Sequence, residues 1–235
     1  MRPRLGRSGK TYISSVSELD EKWNKHEHLN ITTSVSRDAR LLALSGDDYY
    51  MCSWCGYAIE QKGQLAKSKA TSAASHTNPN NDSKCEGSLG RTKFGHHFMT
   101  DVFRLKFGVS TRYACTCGEF GCYGPIESAG AAIVAAATRL LGVASSDLNS
   151  SSTMGQTSDQ NSIVIYDTTP VGAGVSHAAE KRIDEVLDLA IKLCSCDYCS
   201  EDSSCYSCLR TYSNQFRHDH LERGNAKQIL LSLLI

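Results

Sequence analysis

The sequence contains no apolar run long enough to cross a bilayer. Its longest is the small-residue stretch AAIVAAA at 131–137, far short of the roughly twenty residues a spanning helix requires. No membrane segment is expected. The chain also lacks a charge of one sign: 25 basic residues face 25 acidic ones, a formal net charge of zero. As a whole it has no electrostatic pull toward nucleic acid or an anionic membrane, so any DNA contact must come from a local patch. The basic start, MRPRLGRSGK, runs into polar sequence rather than an apolar stretch and a cleavage site, which argues against a secretory signal and for a cytoplasmic protein. There is no Walker motif, since the turn TTPVGAGVS lacks the lysine and Ser/Thr of a P-loop and the complete G-x-G-x-x-G pattern. No internal repeat organises the chain.

What the sequence does have is cysteine. Eleven cysteines in 235 residues exceed what a chain able to bury its own core needs for stability. In a reducing compartment, clustered at short spacings and odd in number, they read as thiolate ligands rather than disulfides. Cys52 and Cys55 form a C-x-x-C turn, in which two intervening residues let both sulfurs reach one ion while backbone amides support them. His76 and Cys85 follow, at the two ends of a loop rich in turn formers (NPNND), giving a Cys3His set. The stretch CSCDYCSEDSSCYSC then offers Cys194, Cys196, Cys199, Cys205 and Cys208, one more than a tetrahedral site can use. Spacing alone allows 196/199 with 205/208 or the set 194, 196, 205 and 208, and slightly favours the first. With every position filled by protein there is no room for substrate or activated water, so both sites read as structural zinc. Cys115, Cys117 and Cys122 are either a third site, with His96 or His97 as fourth donor, or reduced core and loop cysteines.

Between the cysteines, residues 1–37 read as an N-terminal arm or linker with one short helix around ELDEKWNKH. A domain over 38–235 follows. Two short strands turn at Ser45 to Asp48, the second entering the first C-x-x-C. In HHFMTDVFRLKF, Phe103, Leu105 and Phe107 alternate with Val102, Arg104 and Lys106, a strand with one buried face. The alanine-rich segment after Pro125 is a helix ended by Gly142. Residues 145–161 read as a polar loop, NSIVIYD as a buried strand, His177–Leu193 as one amphipathic helix, and Asn225–Leu234 as the last helix. The fold class is α+β: a small mixed sheet with packed helices and two structural zinc sites.

Four motifs in order, a first C-x-x-C-G, then GHHFMTDVFRL, YDTTPVGAG and LRTYSNQFRHDHLER after the last cysteine pair, resemble the C-terminal zinc-binding domain of MrfA-type DNA-repair helicases. Related domains are found in the DrmB component of DISARM anti-phage systems and other helicase-associated defence proteins. The resemblance covers about residues 40–235. It implies a final cluster of the form Cys-x-Cys, spacer, Cys-x-x-Cys, which falls on Cys194, Cys196, Cys205 and Cys208 and leaves Cys199 in the spacer. It places the family's strand-end aspartate at Asp167 and its Pro-Gly-Gly-Ala-Gly turn at 170–174, where Val171 departs from the pattern.

The implied function is a non-catalytic accessory domain or subunit that docks on a helicase or nuclease partner and assists DNA engagement in repair or anti-phage defence. Arg210, Arg217, Arg223 and Lys227, interleaved with Tyr206, Tyr212 and Phe216, are the candidate nucleic-acid contacts, although Glu201, Asp202, Asp219 and Glu222 lie among them. A protein-interaction scaffold without DNA contact is the first alternative, and zero net charge favours it. An enzyme using the Asp167 turn, with Asp101 and a histidine such as His96, His97 or His177, is the second; it requires an open pocket at that turn.

Overall fold

The computed structural model describes residues 10–15, 22–45, 49–60, 75–107, 124–153 and 162–234. Two compact units result: the described parts of Met1–Tyr12 and Leu42–His97 form one, and those of Ile13–Leu41 and Phe98–Ile235 the other. Cys115, Cys117 and Cys122 lie outside the described residues.

A six-stranded sheet has the order β1 (Lys10–Ser15), β3 (Ile31–Leu44), β9 (Gly95–Phe107), β11 (Ser162–Asp167), β10 (Leu148–Thr153), with β2 (Asn24–Lys25) also paired to β3. Where β9 and β11 pair, they do so antiparallel, Phe103 opposite Ile165 and Leu105 opposite Ile163. Because side chains alternate across a strand, these four fall on one face with Phe107, in a core completed by helix α1 (Gly124–Leu141). Val102, Val164 and Tyr166 fall on the other face, in a smaller cluster with Ala39 and Leu41. That explains why all six residues of β11 are buried.

Helix α1 lies close to the sheet because its residues are small. A β-carbon on Gly130 would sit 3.0 Å from the Ser150 hydroxyl oxygen on β10. The same crowding accounts for a strand the sequence reads as loop: the serines of LNSSST have little strand preference, yet β10 pairs with β11 from Leu148 opposite Asp167 to Thr153 opposite Ser162. Ser150 is small enough to pass beneath α1, and Leu148 is fully buried.

The helix expected over 177–193 is two helices, α2 (Val175–Lys181) and α3 (Ile183–Cys194). Arg182 leaves the helical region between them at φ −118°, ψ 31°. Its guanidinium holds Glu185 at 2.6 and 2.7 Å, a hydrogen bond and charge that lower the Glu185 pKa. A 3-10 helix (Gln215–His220) precedes α4 (Arg223–Ser232).

The residues read as an arm contribute strands. Leu29 and Ile31 are buried in the main core, and Asn30 N–H donates to the Leu233 carbonyl at 2.7 Å. Thr33 is fully buried; its hydroxyl accepts from His26 Nε2 and donates to Glu180 on α2, both at 2.8 Å. The helix expected around ELDEKWNKH is replaced, in its described part, by β2, because those residues gain a sheet partner in Thr32 and Thr33. Likewise the short strand expected before Ser45 is a 14-residue strand of the large sheet.

The smaller unit holds a three-stranded antiparallel sheet, β5 (Ala58–Glu60), β4 (Tyr49–Cys52), β8 (Leu89–Thr92), and a two-stranded one, β6 (His76–Thr77) with β7 (Lys84–Cys85). No described helix is long and apolar enough to cross a membrane.

Candidate metal centres

The first cluster forms because two separate turns aim at one point. Strand β4 ends on Cys52, whose carbonyl accepts Gly56 N–H at 3.0 Å and whose own N–H donates to Tyr57 at 2.8 Å, closing the knuckle that carries Cys55. The partner turn is set by Asn78. Its side chain accepts Asn80 N–H at 2.9 Å, and its carbonyl accepts Asp82 N–H at 2.9 Å. That local chemistry puts His76 directly opposite Cys85 in the β6–β7 register. Tyr57 stacks on His76 with centroids 4.8 Å apart. The donor atoms of Cys52, Cys55, His76 and Cys85 all lie within 4.8 Å of one another.

The second cluster gathers Cys196, Cys199, Cys205 and Cys208 in the same way. Here the structure corrects the set drawn from the family resemblance: Cys199 is in the cluster and Cys194 is not. The reason is helical period. Ile183, Val186, Leu187, Ala190 and Cys194 form the buried face of α3, so Cys194 is the last residue of a core-facing stripe rather than the first of the loop. Burial pushes its thiol up to about 12, against the pull of Arg223 and Lys227, which disfavours the thiolate a metal needs.

Both clusters fit tetrahedral zinc. A Zn–S bond of about 2.3 Å implies a tetrahedral edge of about 3.8 Å between sulfurs. The observed separations are 3.9 Å for Cys52–Cys85, and 3.6, 3.7 and 3.7 Å for Cys196–Cys205, Cys199–Cys208 and Cys205–Cys208. The Cys55 sulfur is 3.1 Å from His76 Nε2. Backbone amides support the sulfurs: Gly87 donates to Cys85, Tyr198 to Cys196 and Cys205 to Cys208. Burial opposes ionisation of Cys52, but the backbone at Cys55 and Trp54 overcomes it and lowers that thiol to about 6. Cys205 falls to about 7 as Ser207 N–H and neighbouring thiols outweigh its burial. Burial pushes Cys208 up to about 12 and also raises Cys199. Zinc bound in either cluster would act as a covalent-strength staple with no open coordination position.

Sequence reasoning missed Gly87, two residues after Cys85. A β-carbon there would lie 2.6 Å from the Cys52 sulfur, so only glycine lets the knuckle close. It also missed a brace on the second cluster. Arg223 donates to the carbonyls of Cys199 at 3.0 Å and Cys194 at 2.9 Å, which commits its guanidinium to the loop's backbone. The other cations nominated for nucleic acid are partly engaged: Arg210 with Ser204, Arg217 with Asn149 and Ser150. Lys227 is half-buried on α4.

The Asp167 turn is closed by its own backbone. Asp167 is fully buried and accepts the N–H groups of Ala173, Val175 and Ser176 at 2.6, 3.0 and 2.7 Å. Asp101 accepts Gly174 N–H at 3.1 Å. A β-carbon on Gly172, at φ +81°, would stand 2.4 Å from the Asp101 carboxyl carbon. The carboxylate thus occupies the amide cradle that a phosphate would otherwise take, and Asp101 beside it is buried.

An α+β unit whose C-terminal segment is gathered by four cysteines with no vacant coordination position is, by class, a structural zinc-binding domain. Residues 129–209 match the family model described as MrfA Zn-binding domain, so this part of the chain is similar to a zinc-binding domain of the MrfA type. A crystal structure of DUF1998 helicase MrfA bound to DNA aligns with a TM-score of 0.52 at 12% identity, over 97% of this chain and 25% of that one. A second, of DUF1998 helicase MrfA, aligns with a TM-score of 0.47 at 12% identity, over 97% and 24%. The first establishes a shared fold, and the chain spans a quarter of that protein's length. No curated protein matches.

Proposed function

We propose that this chain is a non-catalytic, zinc-stapled accessory domain that docks on a helicase or nuclease subunit in the cytoplasm and assists its engagement of DNA, in repair or anti-phage defence. The observation that carries the reading is the MrfA Zn-binding match, which runs from within helix α1 through the second cysteine cluster. The helicase that shares the fold is described as bound to DNA. This sequence has no Walker motif, so the motor lies outside it. Cys52, Cys55, His76 and Cys85 would hold one zinc and Cys196, Cys199, Cys205 and Cys208 another, each stabilising its unit rather than taking part in a reaction. Arg210, Arg217 and Lys227 would supply phosphate contacts.

The test is co-purification with a helicase or nuclease polypeptide that carries a motor. DNA-dependent ATP hydrolysis is then measured with and without the chain. Stable association and a change in DNA affinity or ATPase rate support the reading; a motor that neither binds the chain nor responds to it overturns it. A scaffold role without DNA contact is favoured by the zero net charge and by the internal hydrogen bonds of Arg210, Arg217 and Arg223. Salt-dependent binding to forked or single-stranded DNA by the isolated chain excludes that alternative.

A further inference from the structure

Large rings crowd the surface around the second cluster. Tyr206, Tyr212 and Phe216 are exposed by 65, 79 and 67%, where a folded chain usually hides at least part of each ring. Their backbone is fixed. Arg210 N–H donates to the Cys205 carbonyl at 2.9 Å, Asn214 holds Leu209 O at 2.8 Å, and His218 Nε2–H is shared between Thr211 O and Asn214 Oδ1 at 3.1 and 2.9 Å. The rings are therefore held outward by a braced loop.

The tertiary structure also changes the charges that accompany these rings. Glu201 and Asp202 lie among the basic residues in sequence. In the fold both stay exposed and charged, Asp202 accepting the Ser200 hydroxyl. Helix α1 adds Arg139, whose guanidinium reaches the carbonyls of Ser207 at 3.2 Å and Tyr206 at 3.4 Å. Arg217 extends from the 3-10 helix to Asn149. The Tyr206 ring meets His218 edge-on at 5.5 Å. Asp219 remains as the acid on the 3-10 helix.

We infer that Tyr206, Tyr212 and Phe216, with Arg139, Arg217 and His218, form a stacking surface for a short run of unpaired nucleotides. The rings offer π-faces to bases, and the guanidiniums sit beside them for phosphates. A duplex hides its base faces, so this surface selects single strands. The inference rests on the reading that the domain engages DNA and names the form of DNA and the residues that hold it.

The experiment uses the full zinc-loaded chain and fluorescence anisotropy with a labelled oligothymidylate and a duplex of equal length. The expected result is tighter binding to the single strand, weakened about tenfold for each ring replaced by alanine at Tyr206, Tyr212 or Phe216. Y206F and Y212F keep wild-type affinity, because stacking needs the ring and not the hydroxyl. These side chains are exposed, and unchanged zinc content and melting temperature verify folding. If the wild type binds neither probe, the DNA reading and this inference fall together. If it binds but the alanine variants bind equally well, if the phenylalanine variants lose as much as alanine, or if duplex is preferred, this inference alone is overturned.

Discussion

Replacing Cys194 and Cys199 one at a time separates a core cysteine from a metal donor. Cys194 is fully buried on the apolar face of α3, so alanine removes one sulfur's worth of apolar contact, about 1 kcal/mol on the scale of a buried methylene. For a chain of 235 residues that corresponds to a fall in Tm of about 2–4 °C. Serine at Cys194 is a harsher change, because its hydroxyl would need a partner in the core; an unsatisfied one costs about 1–3 kcal/mol. Neither change removes a donor. Cys199→Ser does, leaving Cys196, Cys205 and Cys208 with an incomplete set whose binding energy is part of folding, on the order of 10 kcal/mol for structural zinc. The assay is zinc content by elemental analysis before and after a chelator challenge, alongside thermal melts. C194A retains wild-type zinc and melts slightly lower, whereas C199S loses one equivalent to the chelator and unfolds its C-terminal segment. A C194A chain that loses zinc, with C199S retaining it, refutes the assignment and restores the Cys-x-Cys pattern implied by the family resemblance.

Gly87→Ala forces the Cys52 sulfur away from the position it holds in the first cluster and should weaken zinc there by about 10- to 100-fold, measured by competition with a chromophoric chelator; unchanged affinity would mean the knuckle is not as tight as the structure has it. Val171 sits at φ +72° with its side chain exposed. Relieving about 1–2 kcal/mol of left-handed strain outweighs the entropic cost of glycine, about 0.5–1 kcal/mol, so V171G should raise Tm, and a lower Tm contradicts the reasoning. Gly172→Ala does the reverse, since it adds strain of about 1–3 kcal/mol and drives a β-carbon into Asp101; a chemical denaturation midpoint at or above wild type would count against it. Zinc affinity of the second cluster should fall with pH. The Cys199 and Cys208 thiols are raised above their ordinary value, so they are protonated at neutrality and give up protons on binding. One unit of acidification then lowers affinity by about a factor of ten per proton, about a hundredfold for the pair, and pH-independent binding would exclude it.

The metal chemistry was legible in the sequence because it is local. C-x-x-C spacing, the turn formers before Cys85 and the cysteine density after α3 set the donor types, and the glycines and prolines set where the chain reverses. The alternation in β9 and the alanine-rich α1 were equally plain, since periodicity records which face will be buried. The choice between Cys194 and Cys199 was within reach as well. Extending the Ile183–Val186–Leu187–Ala190 stripe by one turn lands on Cys194, and that pattern outweighs an analogy of spacing.

Other features had no local signal. β10 is a run of serines that becomes a strand only because β11 offers its edge and α1 presses close at Gly130. Asn30 and Thr33 are held by Leu233 and Glu180, about 150 to 200 positions away. Arg223 braces the carbonyls of Cys194 and Cys199, while Arg139 arrives beside Tyr206 from another helix. The sequence by itself determined which residues can bind a metal and where the chain turns, because ligand chemistry and backbone preference act over a few residues. The tertiary structure decided which cysteine is spare, which strand forms without propensity and which charges share a surface, because burial and proximity depend on elements far apart in the chain.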